Sequence, residues 1–260
     1  SKLGAGGRIA LGELKRAAPD GRTLMFSTSS PFAIYPNIYT RLEYDPEADF
    51  TPIAGLAWFD VAMATGPATH AANMEQLLVW ARTSGLDVIY GAAPGTGSSS
   101  HFVGIATALA TGLTMTPVPY KDSAPGIADV STGRLPIMIT GTGAMSEFHK
   151  AGQIRIVATS GGERSPLLPE VPTLIESGLD VSITNSAGVY GPAGLPGAQV
   201  ERLQAALAPI YASPGLRDQA RLQGMMPAYS TAEQLAGALA EERQRFAALA
   251  KASGYVPTPA

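Results

Sequence analysis

Short apolar runs rich in branched residues recur along the chain, each closed by Gly, Pro or Ser, and stretches with helical spacing lie between them. Residues 23–28 (TLMFST), 61–65 (VAMAT), 87–91 (DVIYG), 115–120 (MTPVPY), 135–140 (LPIMIT) and 154–159 (IRIVAT) have the length and boundaries of strands. Met74, Leu77, Leu78 and Ala81 share one helical face, as do Phe102, Ile105, Ala106 and Leu109. Two further helices close the chain, one turning Val200, Leu203, Leu207 and Ile210 inward and one carrying Leu235, Leu239, Phe246 and Leu249. This alternation predicts an α/β architecture with mainly parallel sheets covered on both faces. Residues 86–187 hold most of the glycine-rich turns, and the chain after Gly188 reads as almost purely helical. A helical tail returning to the first sheet makes domain one discontinuous, with the middle segment inserted as domain two.

Length and composition narrow the function. The 260 residues accommodate one large domain or two modest ones, at roughly 150 residues each. A formal charge of −3 and only 15% charged residues exclude a nucleic-acid binder that relies on bulk positive charge, and 45% apolar residues exclude a disordered acidic chain. Cysteine is absent, so disulfides, thiolate nucleophiles and cysteine-ligated metals are excluded. No apolar run is long enough for a membrane span. Residues 1–10 (SKLGAGGRIA) have neither the apolar stretch nor the cleavage site of a secretory leader.

The strongest local signal is residues 87–101 (DVIYGAAPGTGSSSH), a strand that runs through a Gly, Pro and Ser turn into an amphipathic helix. A helix start carries unpaired N–H groups and a partial positive charge, so Gly95, Thr96, Gly97 and Ser98 read as an anion cradle. The chain has no Gly-Lys pair for a P-loop, and Ser100 stands where a dinucleotide loop needs its third glycine, so a carboxylate is the better guess. The alternative is that Ser98 or Ser99 is an ordinary N-cap. One helix start contributes about 0.3–2 kcal/mol and each charge-assisted hydrogen bond about 1.5–3, against roughly 8 for micromolar affinity. More than one loop is therefore needed. Ser27, Thr28, Ser29 and Ser30 after the first strand, and Thr140, Gly141, Thr142 and Gly143 after the fifth, offer small polar groups where ligands of α/β sheets sit.

Catalytic alternatives are weaker. His70, His101 and His149 are too far apart in sequence for a helical or hairpin metal pair. No G-x-S-x-G elbow occurs, and Ser98, Ser99 or Ser100 with His101 lacks a positioned acid. Glu241 and Glu242, with Arg243 and Arg245 in AEERQR, read as a solvated helical face, and Asp45, Glu47 and Asp49 as loop and capping residues. Trp58 and Trp80 read as packing residues.

Several blocks together resemble a known family: APDGRTL (18–24), YDPEADFTPIA (44–54), YGAAPGTGSSSHF (90–102), VPYK (118–121) and LPEVPTLIESGL (168–179). They are similar, in order and spacing, to the signature blocks of the Bug family, the extracytoplasmic solute receptors of tripartite tricarboxylate transporters. The resemblance implies a two-lobed periplasmic-binding-protein type II fold. Domain one is then 1–85 with 188–260 and domain two is 86–187, with a ligand cleft between them. It implies a non-enzymatic, monomeric periplasmic receptor, without cofactor, metal, nucleic acid or membrane span, that delivers a small carboxylate to membrane permease subunits. By family position the ligand contacts are Ser27, Thr28 and Ser29 in domain one, with Ala93, Gly95, Thr96, Gly97, Ser98, His101, Tyr120, Thr140 and Gly141 in domain two.

Three departures from the family pattern add expectations. The chain starts inside the block that reads here GAGGRIA (4–10), so the first lobe lacks its N-terminal strand–helix unit. The acidic residue often found at the strand end is replaced in Ile139, Thr140 and Gly141, which removes a partner for a ligand ammonium and disfavours an amino acid. A Trp near the second crossover is replaced, with Ser186 close to that position. Rival readings are a degenerate receptor that serves as a sensor or interaction protein, and a serine hydrolase.

Overall fold

A computed structural model describes residues 7–259; part of the GAGGRIA block, and of the segment read for a leader, lies outside the described residues. The chain divides into two compact units. Unit one takes the described parts of Ser1–Trp58 and Met225–Ala260 together with Asn185–Ala220, and unit two takes Phe59–Thr184 with Arg221–Gly224. In chain order the elements are α1 (Arg8–Arg16), β1 (Met25–Thr28), α2 (Ser30–Ala33), α3 (Tyr35–Ile38), β2 (Phe50–Thr65), α4 (Met74–Thr83), β3 (Val88–Ala92), α5 (Ser99–Thr111) and β4 (Met115–Pro119). There follow α6 (Ser123–Ser131), β5 (Ile137–Gly141), α7 (Thr142–Lys150), β6 (Arg155–Thr159), β7 (Thr184–Pro192), α8 (Gly197–Ala212), α9 (Pro214–Leu222), β8 (Met226–Thr231) and α10 (Ala232–Ser253).

In unit one, β1 pairs antiparallel with β7, Ser27 opposite Gly188, and β8 pairs antiparallel with the first half of β2, Ala54 opposite Thr231. The core joins Leu11 and Leu14 of α1, Phe32, Tyr44, Phe50, Tyr190, and Leu235 and Leu239 of α10. Phe32 stacks on Tyr190 with ring centroids 4.1 Å apart. The helix α10 is well started: Thr231 accepts the Gln234 amide, and the Gln234 side chain returns to accept the Thr231 amide. This reciprocal cap satisfies two otherwise orphaned donors. On α8, Val200, Leu203 and Leu207 pack partly buried against Ile53, Ala54, Val189 and Leu195.

In unit two, the second half of β2 pairs antiparallel with β5 on one side, Ala62 opposite Thr140, and with β6 on the other, Ala62 opposite Thr159. The strand β3 runs parallel to both β5 and β4. Ala62, Ala64, Ile127, Val130, Leu135, Met138, Met145, Ile154 and Ile156 form its core. The helix α4 begins at Asn73, whose side chain accepts the Gln76 amide.

The structure corrects the sequence reading in three places. The sheets are mixed: β3 pairs in parallel with β4 and with β5, whereas the pairings of β1 with β7 and of β2 with β5, β6 and β8 are antiparallel. The chain after Gly188 is not purely helical, because β7 continues to Pro192 and β8 follows α9. Both strands are built from small residues and proline (TNSAGVYGP, MPAYST), which carry little intrinsic strand signal and are held by their neighbours. Leu109 and Ile210, expected inward, are exposed, because each sits at the end of its helix beyond the packed face.

Candidate functional site

In unit two the loop between β3 and α5 turns on Gly95 and Gly97, both left-handed with φ of 89° and 76°, a conformation open to glycine and strained for other residues. The Gly95 amide donates to Ala92 O at 3.1 Å and the Gly97 amide to His101 Nδ1 at 3.0 Å. Ser98 is the N-cap of α5: its Oγ donates to Gly95 O at 2.7 Å and accepts the His101 amide at 3.3 Å. Ser100 Oγ donates back to Ala93 O at 2.8 Å. His101 is buried, and burial lowers its pKa, which keeps the imidazole neutral with Nδ1 as an acceptor. The loop thus braces itself through Gly95, Gly97, Ser98 and His101. The exposed Thr96 and the amides of Ser99 and Ser100, which come too early in α5 to have an intrahelical acceptor, take no part in this bracing.

Neighbouring candidates are held to the same strand ends. The Tyr120 amide donates to Ala92 O at 2.9 Å, and its hydroxyl donates to Asp129 Oδ2 at 2.7 Å. Desolvation and the Asp129 charge push the Tyr120 pKa up to about 12. Asp129 is in turn paired with Arg134 at 2.7 Å. Thr140 is buried and shares a 2.7 Å hydrogen bond with Ser123 Oγ. Gly141 is the N-cap of α7 and contributes no side chain. The Ala93 amide donates to Ile139 O, so the loop after β3 is tied to the end of β5.

At that same end of β5 stands Asp60, a residue the sequence reading did not single out. The register Val61 opposite Gly141 places Asp60 opposite Thr142, the first residue of α7. Asp60 is 1% exposed, and neither carboxylate oxygen meets a hydrogen-bond donor. The Thr142 hydroxyl lies close enough to favour the charged form, yet burial dominates and raises the pKa to about 6. A lone acid inside the apolar run LAWFDVAMA was the available signal.

In unit one Ser27 and Thr28 end β1, and Ser29 follows as the N-cap of α2. Ser27 Oγ donates to Thr28 O at 3.0 Å. Ser29 is fully buried: its amide donates to Ser186 O at 2.7 Å and its Oγ accepts the Ser186 amide at 3.2 Å. Ser186 Oγ donates to Glu242 Oε1 at 2.8 Å, while Glu242 Oε2 has no partner. Burial raises the Glu242 pKa, partly offset by the Ser29 and Ser186 hydroxyls, the Ser186 amide and the charge of Arg245. The expectation of a solvated face is therefore wrong for Glu242, which is buried between Leu239 and Phe246 on the apolar stripe of α10. Its spacing from Leu235, Leu239 and Phe246 was readable, but the surrounding charges masked it.

The structure offers no nucleophile built for hydrolysis here. The Ser98 proton is engaged by Gly95 O, and His101 Nδ1 accepts an amide proton rather than one from serine. Among the described residues no group of three or more His, Cys, Asp or Glu could hold a metal ion, and no helix is long and apolar enough to cross a membrane.

The family model described as the tripartite tricarboxylate transporter family receptor matches residues 1–255. A UPF0065 protein of Bordetella bronchiseptica is 29% identical over 254 residues, covering 98% of this chain and 75% of that protein. The solved structure of R. palustris Rpa4515 with adipate is similar at a TM-score of 0.86 and 27% identity, covering 98% of this chain and 86% of that one. The periplasmic binding protein BugD is similar at a TM-score of 0.81 and 25% identity, covering 98% and 85%.

Proposed function

The chain belongs to the tripartite tricarboxylate transporter family of receptors, and on that premise we propose that it captures a small organic carboxylate in the periplasm and presents it to membrane permease subunits of a tripartite transporter. The family and its solved neighbours are solute-binding receptors, not enzymes. One observation carries the carboxylate: the loop at residues 93–98 braces itself internally yet leaves Thr96 and the amides of Ser99 and Ser100 outside that bracing at the carboxyl ends of β3 and β5. Such preformed donors suit an anion, because they need no reorganisation when it arrives. The adipate found in the R. palustris neighbour supports the same class. In this reading the Ser27–Ser29 loop of unit one is a second contact set, and the protein acts as a monomer.

The test is a thermal-shift and calorimetry panel of mono-, di- and tricarboxylates on the chain. A ligand at 100 times its Kd stabilises the folded protein by roughly 2.7 kcal/mol. Absence of a shift with every carboxylate, at concentrations that saturate a millimolar site, overturns the reading.

A further inference from the structure

We propose that unit two holds a subsite for a cationic group, centred on Asp60, and that the solute is a carboxylate that also bears an ammonium. The inference rests on the carboxylate reading above and adds the second charge. Asp60 is 1% exposed, and both of its oxygens lack a donor. No Lys, Arg or His among the described residues pairs with it or lowers its pKa. The neighbouring Thr142 hydroxyl is likewise buried without a partner. A Cβ built on Gly161 would lie 3.4 Å from Asp60 Oδ2, so the end of β6 closes the other side of the carboxylate with a residue that has no side chain.

An ionised carboxylate taken out of water is costly unless paired, and buried charges are as a rule compensated by the protein or by what it binds. Glu242, also buried, is compensated at one oxygen, where Oε1 receives Ser186 Oγ and the Ser186 amide. At Asp60 the Thr142 hydroxyl and the residue's own amide lie near enough to favour the charged form only in part, without a formed hydrogen bond, and the start of α7 beside it offers only a partial charge. A cation brought by the solute completes the pairing. Position favours the same solute that the loop holds. Asp60 and the loop at residues 93–98 lie at one end of the unit-two sheet, on β2 and β3, which flank β5. Two strand spacings, about 9–10 Å, separate their backbones, which suits an ammonium and a carboxylate a few bonds apart. The acidic partner that the strand end at residues 139–141 lacks is thereby supplied from the adjoining strand.

Calorimetry on the full chain at neutral pH, with matched pairs of probes, tests this: β-alanine against propionate, γ-aminobutyrate against butyrate, and aspartate against succinate. In at least one pair the amine-bearing probe is expected to bind at least tenfold tighter. Asp60→Asn is expected to remove that preference. Should Asp60→Asn fail to fold, N-acetylation of the preferred probe replaces it, since it removes the charge, and a loss of at least tenfold is expected on the native chain. Amine-free probes binding as tightly as their partners in every pair, or a preference that survives Asp60→Asn, overturns the ammonium subsite while the carboxylate reading stands. A thermal shift from NaCl or KCl alone that Asp60→Asn abolishes overturns it in favour of a resident alkali cation. Binding by no probe overturns both.

Discussion

Inside unit one the Ser186 hydroxyl donates to Glu242 Oε1 at 2.8 Å, and this bond ties the start of β7 to the middle of α10. The same serine meets Ser29 through two backbone groups, Ser29 N to Ser186 O and Ser186 N to Ser29 Oγ. The end of β1 is thus fixed to α10 through a buried acid.

Ser186→Ala is expected to destabilise the chain by about 1–3 kcal/mol, the cost of leaving a buried acceptor short of a donor. Burial raises the Glu242 pKa, so the folded state holds its proton to higher pH than the unfolded chain does. The stability it contributes is present below the ordinary carboxylate range and is lost as pH rises through the raised value. Removing a donor that favours the charged form raises the pKa further. The loss measured by denaturant unfolding is therefore larger in alkaline than in acidic buffer; equal losses in both would sink the argument.

Asp60 makes stability fall with rising pH in a defined window. Its pKa is about 6 in the fold against an ordinary 3.8, so the folded state holds its proton longer and stability declines between those two values. The gap between those values corresponds to about 3 kcal/mol. Asp60→Asn in the ligand-free protein should flatten this decline and raise stability at neutral pH by up to about 3 kcal/mol. Unfolding free energies across a pH series check it, and an unchanged profile contradicts the unpaired buried carboxylate.

Ser98 and Thr96 separate bracing from binding. Ser98 caps α5 and closes the loop onto Gly95, so Ser98→Ala is expected to cost about 1 kcal/mol of stability. Thr96 is exposed, so Thr96→Ala should change stability by less than about 0.5 kcal/mol yet weaken carboxylate binding. Melting curves and calorimetry on the two variants read both effects; a Thr96→Ala protein with native affinity removes that side chain from the site.

Gly104 lets α5 lie against β3. A Cβ there would stand 2.2 Å from the Tyr90 ring carbon Cζ, and the Tyr90 hydroxyl donates to His101 O at 3.2 Å. Gly104→Ala is expected to cost about 1–3 kcal/mol through overpacking and, by displacing that ring, to loosen the turn that carries His101. Reduced melting temperature together with weaker carboxylate binding is the expected pair of results; a variant as stable as the native chain would show that the ring yields freely.

The local periods of this chain determined much by themselves. The strands within residues 61–65, 87–91, 115–120, 135–140 and 154–159, the helices α4 and α5 that follow the first two, and the loop at 93–98 with its capping serine were all legible, because each is specified by neighbours a few residues apart. The family blocks added the receptor class, and a match over residues 1–255 bears it out. Tertiary structure alone decided the rest. The strands β7 and β8 exist because other strands pair with them, and their small residues announce little. Likewise, whether Glu242 faces water, and whether Asp60 finds a cation, depends on groups far away in sequence: Ser29 and Ser186 for one, Thr142 and Gly161 for the other. Periodicity reports which face of an element is apolar; the partners and pKa of a charge buried on that face are set by long-range packing, which no local pattern encodes.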